Sequence, residues 1–461
     1  MDYAFRIPEN RLFLIPHSSF REFLQRFVPP RDRWRHWSKK VLAFGRWQLA
    51  AQGLQLLTGL CLVRWLNYDG YAQYGLVVGF QIMLALLVDL GFTEAVVALI
   101  GTRIDDRFVV GRYIATAWAN RTKVMLIVTP VAAIVFAQFS RLHHWPFVES
   151  LGLFASIIAF LFFQGWGAIS LTPLLMHQEI SRIYLPRISA STAVLAMNFF
   201  LHSRGLLSPL WICWMNVASL AATGLYYRGV ARRYFAWEEK PSPETQREMR
   251  CYLAPLLAGT VFYALHGQIQ TFLIGWFGGS QSIAEVTALG RIGQILAFGS
   301  AFVYTLLVPV VARAPASRLP LRYAQSVALV VLFSTTLLGA AALFPTPFLL
   351  ILGPRYSGLH SELLLVVAGS VAAFISGSLY MFNNARKWAT HTNVAFSMAG
   401  ALLIDVAFLA YTDLSQVKNV LVLAFFSNLF PLIPYSIIAW RGCSREAPNL
   451  SPRRLEEVEI A

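Results

Sequence analysis

The sequence predicts an all-α polytopic membrane protein: about twelve transmembrane helices in two six-helix bundles, with both termini cytoplasmic. Composition is the first of three observations behind that expectation. Of 461 residues, 57% are hydrophobic and only 13% charged, with a mean hydropathy of +0.55. A soluble chain carries about 25% charged residues, so a water-soluble enzyme is excluded. Length is the second, because a spanning helix takes about 20 apolar residues and a dozen spans use roughly 250, leaving room for loops. Third, 38 Lys and Arg against 23 Asp and Glu give a net charge of +15. These charges gather at the ends of apolar runs, where they meet anionic membrane lipid rather than nucleic acid.

Taken in order, residues 1–40 read as a cytoplasmic amphipathic and basic segment. They lack the short charged start and apolar stretch of a cleavable signal. Ser19 and Glu22 have capping-box spacing, and Phe20, Phe23, Leu24 and Phe27 fall on one helical face. Pro29 and Pro30 end that helix, and the basic, Trp-containing stretch 31–40 suits the headgroup layer. A place on the membrane surface is expected, with partner docking as the alternative. An amino-terminal bundle over 41–227 follows, from apolar runs at 41–63, 71–100, 124–139, 151–175, 184–201 and 206–226. A polar cytoplasmic linker, 228–250, leads to a carboxyl-terminal bundle over 251–440. Its runs lie at 252–277, 283–311, 327–344, 363–382, 394–411 and 420–440, and 441–461 is a cytoplasmic tail. Six spans, a linker and six spans are the spacing of a transporter built from two similar halves.

Orientation follows from the basic residues. Loops after the even-numbered runs are rich in Lys and Arg, whereas the opposite loops hold only Arg64, Arg141, Arg204, Arg355 and Lys418. Those opposite, outer loops are short, which leaves no room for a folded outer domain.

A charge at the bilayer centre costs from about 3 to over 10 kcal/mol, so each ionisable residue inside a span is a functional candidate. Arg46 stands about one turn into the first run, and Gln48, Gln52 and Gln55 share a helical face that should meet water or protein. Either Arg46 snorkels to the headgroups while the glutamines join helices, or the four line a lumen. Arg291 lies far from both ends of its run with Gln294 nearly on its face, which favours the lumen. One cation from each half in a central cavity suits an anionic diphosphate, because Arg offers fixed donors and keeps its proton.

Asp89, in Asp89-Leu90-Gly91-Phe92, belongs to a run too long for one straight span. It is expected to brace a bend there, with coupling-ion binding as the other reading. Asp405 reads as a proton or sodium relay, or as a partner for a neighbouring helix. His266, Gln268 and Gln270 cluster in the seventh run, and His266 and Gln270 are further candidates to line the lumen and bind substrate. His266 either titrates and couples transport to protons or is a hydrogen-bonded helix contact. Cys61, Cys213, Cys251 and Cys443 form no CxxC pair and are expected in the core; His143-His144 reads as an interfacial turn. No Walker loop, GxSxG, HExxH or kinase motif occurs, and neither cofactor nor metal is implied.

The stretch Arg64-Trp65-Leu66-Asn67-Tyr68-Asp69-Gly70-Tyr71-Ala72-Gln73-Tyr74-Gly75, followed by Asp89-Leu90-Gly91-Phe92, resembles the start of bacterial polysaccharide (O-antigen type) flippases. These belong to the superfamily of multidrug, oligosaccharidyl-lipid and polysaccharide exporters. Residues 267–275, the stretch Ala288-Leu289-Gly290-Arg291-Ile292, and Gly353-Pro354-Arg355-Tyr356 add to the likeness, which runs over about 41–440. The resemblance implies a bacterial inner-membrane transporter, not an enzyme. It would move undecaprenyl-diphosphate-linked oligosaccharide, an O-antigen or exopolysaccharide repeat unit, to the outer leaflet by alternating access through an often cationic lumen. It implies that Arg46 and Arg291 face that lumen, and that polysaccharide polymerase and chain-length proteins are partners. Gln270 stands where many such proteins carry Asp, a departure from the family pattern that the resemblance to ion-coupled members does not cover.

Two other readings compete. A drug and cation antiporter of the same superfamily should show more buried acids than arginines, whereas buried cations here at least match acids. A membrane-embedded polymerase, ligase or acyl transferase commonly places catalytic Arg or His on sizeable outer loops, which this chain lacks. A scaffold that only organises polysaccharide synthesis is a third possibility.

Overall fold

The computed structural model describes residues 31–446 except 102, 178, 389 and 390. The amphipathic helix expected before Pro29 and the end of the tail, 447–461, lie outside the described residues. The chain divides into an amino-terminal unit, Met1–Leu49, and a body, Ala50–Ala461. Among the described residues every regular element is helical.

The first half runs α1 (Arg31–Trp65), α2 (Tyr68–Asp89), α3 (Phe92–Ile100), α4 (Arg107–Leu142), α5 (Phe147–Met176), α6 (Ile180–Ser203) and α7 (Pro209–Ala231). A linker helix, α8 (Pro243–Leu253), starts with a Ser242–Thr245 capping box. Next come α9 (Leu257–His266), α10 (Ile269–Phe277), α11 (Ser280–Gly293), α12 (Ile295–Phe302) and α13 (Val308–Ala312). The chain then forms α14 (Leu319–Leu343), α15 (Pro345–Leu352), α16 (His360–Ala385), α17 (His391–Tyr411), α18 (Val417–Leu429) and α19 (Leu432–Glu446). Eight helical segments are individually long and apolar enough to cross a membrane. With α1, α6, α7 and the α9–α10 pair, twelve passes form among the described residues.

Several boundaries differ from the sequence reading. The third span begins earlier, so α4 carries Arg121 and Lys123 inside the helix. Tyr252 belongs to α8, not to the seventh span. The seventh span breaks at Gly267–Gln268 and the eighth at Gln294. A π-helical turn, Val303–Leu307, then precedes Pro309, whose ring nitrogen donates no hydrogen bond. Hydropathy averages over such breaks because their flanks stay apolar. Of the cysteines, Cys213 is buried but Cys251 is exposed, since it lies on α8 at the linker.

The second span bends at Leu90 and Gly91, where φ is 45° and 85°. Asp89 braces that bend: its Oδ1 accepts from the Thr93 hydroxyl at 2.8 Å and from Arg121 Nη1 at 2.6 Å. Arg121 is only 2% exposed, and its Nη2 donates to Gln164 Oε1 at 2.8 Å. The guanidinium passes so close to Gly165 that a Cβ there would overlap it. Elsewhere α2 is the shared spine of the two bundles. Phe80 packs against Phe136 and Phe139 of α4 and against Phe272 of α10, with ring centroids 5.4, 5.7 and 4.8 Å away. Leu126, Ile127 and Ile134 of α4 are exposed by 70%, 71% and 67%, the face a bilayer covers.

On the sparsely basic side the bundles are tied by reciprocal bonds. Arg64 donates through Nε to the Ile351 carbonyl at 3.1 Å and through Nη2 to the Leu350 carbonyl at 2.6 Å, capping α15. Arg355 returns the bond, Nη1 to the Leu66 carbonyl at 2.9 Å, just past α1. A guanidinium suits the partial negative charge of a helix carboxyl end. Nearby, the Tyr68 hydroxyl donates to the Arg355 carbonyl at 3.2 Å, and His143 Nε2 donates to the Gly275 carbonyl at 2.8 Å. The His143–His144 turn thus grips the opposite bundle.

Candidate functional site

A cavity of about 450 Å³ opens between α1, α2, α5, α6 and α7, with one wall supplied by the end of α11. Helical periodicity builds it. On α7, Asn216, Ser219, Thr223 and Tyr227 recur every three or four residues and present one polar stripe; Arg187 and Ser191 do the same on α6. Tyr74 and Gln81 come from α2, and Gln55 and Thr58 from α1. Polar side chains at such spacing within spans would be costly against lipid, so they line a polar space.

Arg291 enters this cavity from the other half of the chain. It is 7% exposed; its Nε donates to the Tyr71 hydroxyl at 3.2 Å, and its guanidinium lies 5.8 Å from the Tyr74 ring centre. A Cβ on Gly59 would sit 3.2 Å from the Arg291 Cδ and Nε, so glycine lets the side chain lie along α1. A hydroxyl and a ring fix the arginine without neutralising it. Arg187 is exposed to the cavity and makes no ion pair among the described residues. The described lining thus holds two arginines and no carboxylate. Gln164 joins it with its Oε1 engaged by Arg121, which turns the amide donors the other way.

The sequence-derived candidates distribute unevenly. Gln55, Arg291 and Gln294 line this cavity, and Gln294 is exposed at the helix break. Arg46 is exposed and Gln48 half-buried, both within the amino-terminal unit. Gln52 is half-buried with its Oε1 unpartnered. Asp89 is held by Arg121 at the bend, away from the cavity lining. The sequence reading passed over Arg121, Arg187 and the polar stripe of α7. Arg187 lies so near the start of its span that it counts as a loop charge, and Asn, Ser and Thr barely lower an apolar average. The helical spacing of 216, 219, 223 and 227 was the available signal.

His266 and Asp405 meet in the other bundle, and Gln270 shares a cavity with His266. His266 and Gln270 line a cavity of about 310 Å³, which shares His266, Gly267 and Ser427 with a neighbour of about 320 Å³. His266 Nδ1 lies 3.1 Å from Asp405 Oδ2, and the Ser427 hydroxyl donates to Asp405 Oδ1 at 2.6 Å. Phe262 stacks on the imidazole at 5.1 Å. Asp405, 2% exposed, thus has both oxygens engaged. Among the described residues no cluster of three or more His, Cys, Asp or Glu could hold a metal ion.

A family model described as polysaccharide biosynthesis protein matches residues 38–314, more than half of the chain. The chain belongs to this family. No curated protein matches it. Among solved structures, it is similar to an inward-facing multidrug resistance MATE family transporter of the MOP superfamily. The two share 14% identity and a TM-score of 0.63, over 86% of this chain and 96% of that one. An outward-facing structure of such a transporter gives 14% identity and a TM-score of 0.57, over 89% and 96%. A MOP superfamily transporter from Pyrococcus furiosus, described as having a binding pocket of reverse polarity, gives 12% and 0.55, over 87% and 95%. At such identities the likeness shows the fold: this family member is a multi-pass membrane protein with a transporter architecture.

Proposed function

We propose that the protein carries polyprenyl-diphosphate-linked oligosaccharide from the cytoplasmic to the outer leaflet of a bacterial inner membrane by alternating access, without covalent chemistry. The observation that carries this reading is the cavity with Arg187 and Arg291, one from each half of the chain, and no carboxylate among its described lining. A diphosphate and its sugars cannot cross hydrocarbon unaided, whereas the polyprenyl tail can stay in lipid. Arginine suits the diphosphate because its planar donors match phosphate oxygens two at a time. The amides and hydroxyls of Gln55, Asn216, Ser219 and Gln294 are suited to sugar hydroxyls. Arg64 and Arg355 tie the outer side shut, a geometry that favours loading from the cytoplasm. Occupancy would neutralise the two cations and allow the bundles to rock.

The drug antiporter reading is disfavoured because an organic cation needs a carboxylate where the cavity offers arginine. An outer-loop enzyme is disfavoured because Arg64 and Arg355 each hydrogen-bond a backbone carbonyl of the opposite half, a structural use of the side chain. The His266–Asp405 pair is this account's candidate for proton coupling, since Asp89 is bound to Arg121. The test is reconstitution of purified protein in liposomes holding a labelled polyprenyl-diphosphate oligosaccharide, its leaflet read with an impermeant glycosidase. Transfer that requires Arg187 and Arg291 is expected. Transfer of an organic cation instead, or oligosaccharide transfer unaltered in the Arg187→Gln/Arg291→Gln protein, would overturn the proposal.

A further inference from the structure

A second built cavity lies on the basic side of the amino-terminal bundle, between α4, α5, the end of α7 and residues 235–241 of the linker. Its volume is about 650 Å³. Arg228 lies in it between two tryptophans, its guanidinium 5.0 Å from the Trp166 ring centre and 4.5 Å from that of Trp237. The Arg228 Nε, the Trp237 Nε1 and the Ser170 hydroxyl are all buried without a hydrogen-bond partner, and all three residues line the same space. Ser170 is 1% exposed. The one carboxylate in the described lining, Glu239, is engaged by Arg112 at 3.3 Å. The described lining therefore offers a guanidinium, an indole N–H and a hydroxyl, with its one carboxylate in an ion pair. A buried donor without an acceptor costs about 1–3 kcal/mol, so three such groups, one of them part of a guanidinium, suit an anion.

The shape says what kind of anion. Through Trp118 and Phe162 the cavity adjoins an apolar hollow of about 290 Å³ between α4 and α5, which includes Met125, Leu126 and Ile158. The neighbouring face of α4 is the exposed apolar one that a bilayer covers. A headgroup-depth cluster of Arg and Trp above an apolar slot fits a molecule with a phosphate at one end and an acyl chain at the other.

We propose that this is a binding site for an anionic phospholipid of the cytoplasmic leaflet. Its phosphate accepts from Arg228, Trp237 and Ser170, and one acyl chain lies in the α4–α5 hollow. Since residues 235–241 lead into α8, an occupant bridges the linker to the amino-terminal bundle and links transporter geometry to the lipid composition of that leaflet.

Native mass spectrometry of delipidated full-length protein tests this, titrating separately with phosphatidylglycerol, phosphatidylcholine, inorganic phosphate and undecaprenyl phosphate. One retained phosphatidylglycerol is expected, bound about tenfold or more tighter than phosphatidylcholine. Arg228→Gln should lower its affinity about tenfold, the loss expected for one charge-assisted hydrogen bond. Trp237→Phe keeps the ring but removes the donor, and a loss of about three- to tenfold is expected; this variant decides the matter if Arg228→Gln does not fold. Equal binding of phosphatidylcholine, or phosphatidylglycerol binding unchanged in both variants, overturns the proposal. Inorganic phosphate binding as tightly as phosphatidylglycerol removes the lipid from it, and displacement by equimolar undecaprenyl phosphate overturns the assignment to a phospholipid.

Discussion

The two bundles share an architecture but treat buried charge in opposite ways. In the carboxyl-terminal bundle, Asp405 has both oxygens engaged, one by His266 and one by Ser427, so the cluster closes on itself. In the amino-terminal bundle the chain Asp89–Arg121–Gln164 ends at the cavity wall, where Arg187 and, entering from the other half of the chain, Arg291 stand with no carboxylate in the described lining. A closed cluster has its polar groups partnered within the protein. An open pair of cations requires an anion from outside. The open cations and the closed cluster thus differ in what they need from outside, and each prediction below bears on that difference.

The largest effect is expected at the open cations. Two charge-assisted contacts are worth about 3–6 kcal/mol together, so Arg187→Gln/Arg291→Gln should weaken diphosphate binding by about 10²–10⁴-fold. Calorimetry with a short-chain polyprenyl diphosphate checks it, and Arg291→Lys should fall between because a point charge replaces a fork. Next comes Arg121→Leu, which strands Asp89 and should cost about 3–5 kcal/mol of stability. Most of that should return in Arg121→Leu/Asp89→Leu, as read by thermal unfolding in detergent.

In the closed cluster, Asp405→Ala leaves the Ser427 hydroxyl and the imidazole N–H unpaired, at about 1–3 kcal/mol per group. Diphosphate affinity should stay within about twofold of the unsubstituted protein, a change below 0.5 kcal/mol or so; a large loss of affinity would erase the distinction between the bundles. The smallest effect belongs to the seam made by Arg64 and Arg355. Each cap lost in Arg64→Ala or Arg355→Ala is worth about 1 kcal/mol, a shift of about fivefold toward the outward-open state. Spin-label distances between the outer loops would report it.

Hydropathy makes the twelve passes legible, because lipid imposes a composition on whole helices. The breaks at Gly267–Gln268 and Gln294 escape, since apolar flanks hide one or two polar residues in an average. At the site, Arg291 stands out because it lies deep in its span, whereas Arg187 hides at a span end and is brought inward by the way α6 packs. Arg121 is obscured by its own neighbourhood: with Lys123 it reads as a loop, and only packing shows that Asp89 and Gln164 make its burial tolerable. Asp405 and His266 were legible as single residues but not as a pair, for they are 139 positions apart.

The most direct test of the central claim is to locate the diphosphate. A photoreactive polyprenyl diphosphate, crosslinked in membranes and mapped by peptide mass spectrometry, should label α6 and α7 around Arg187 and Asn216 and lose that label in the Arg187→Gln/Arg291→Gln protein. Label concentrated instead around His266 and Ser427, with the amino-terminal cavity unmarked, would contradict the account.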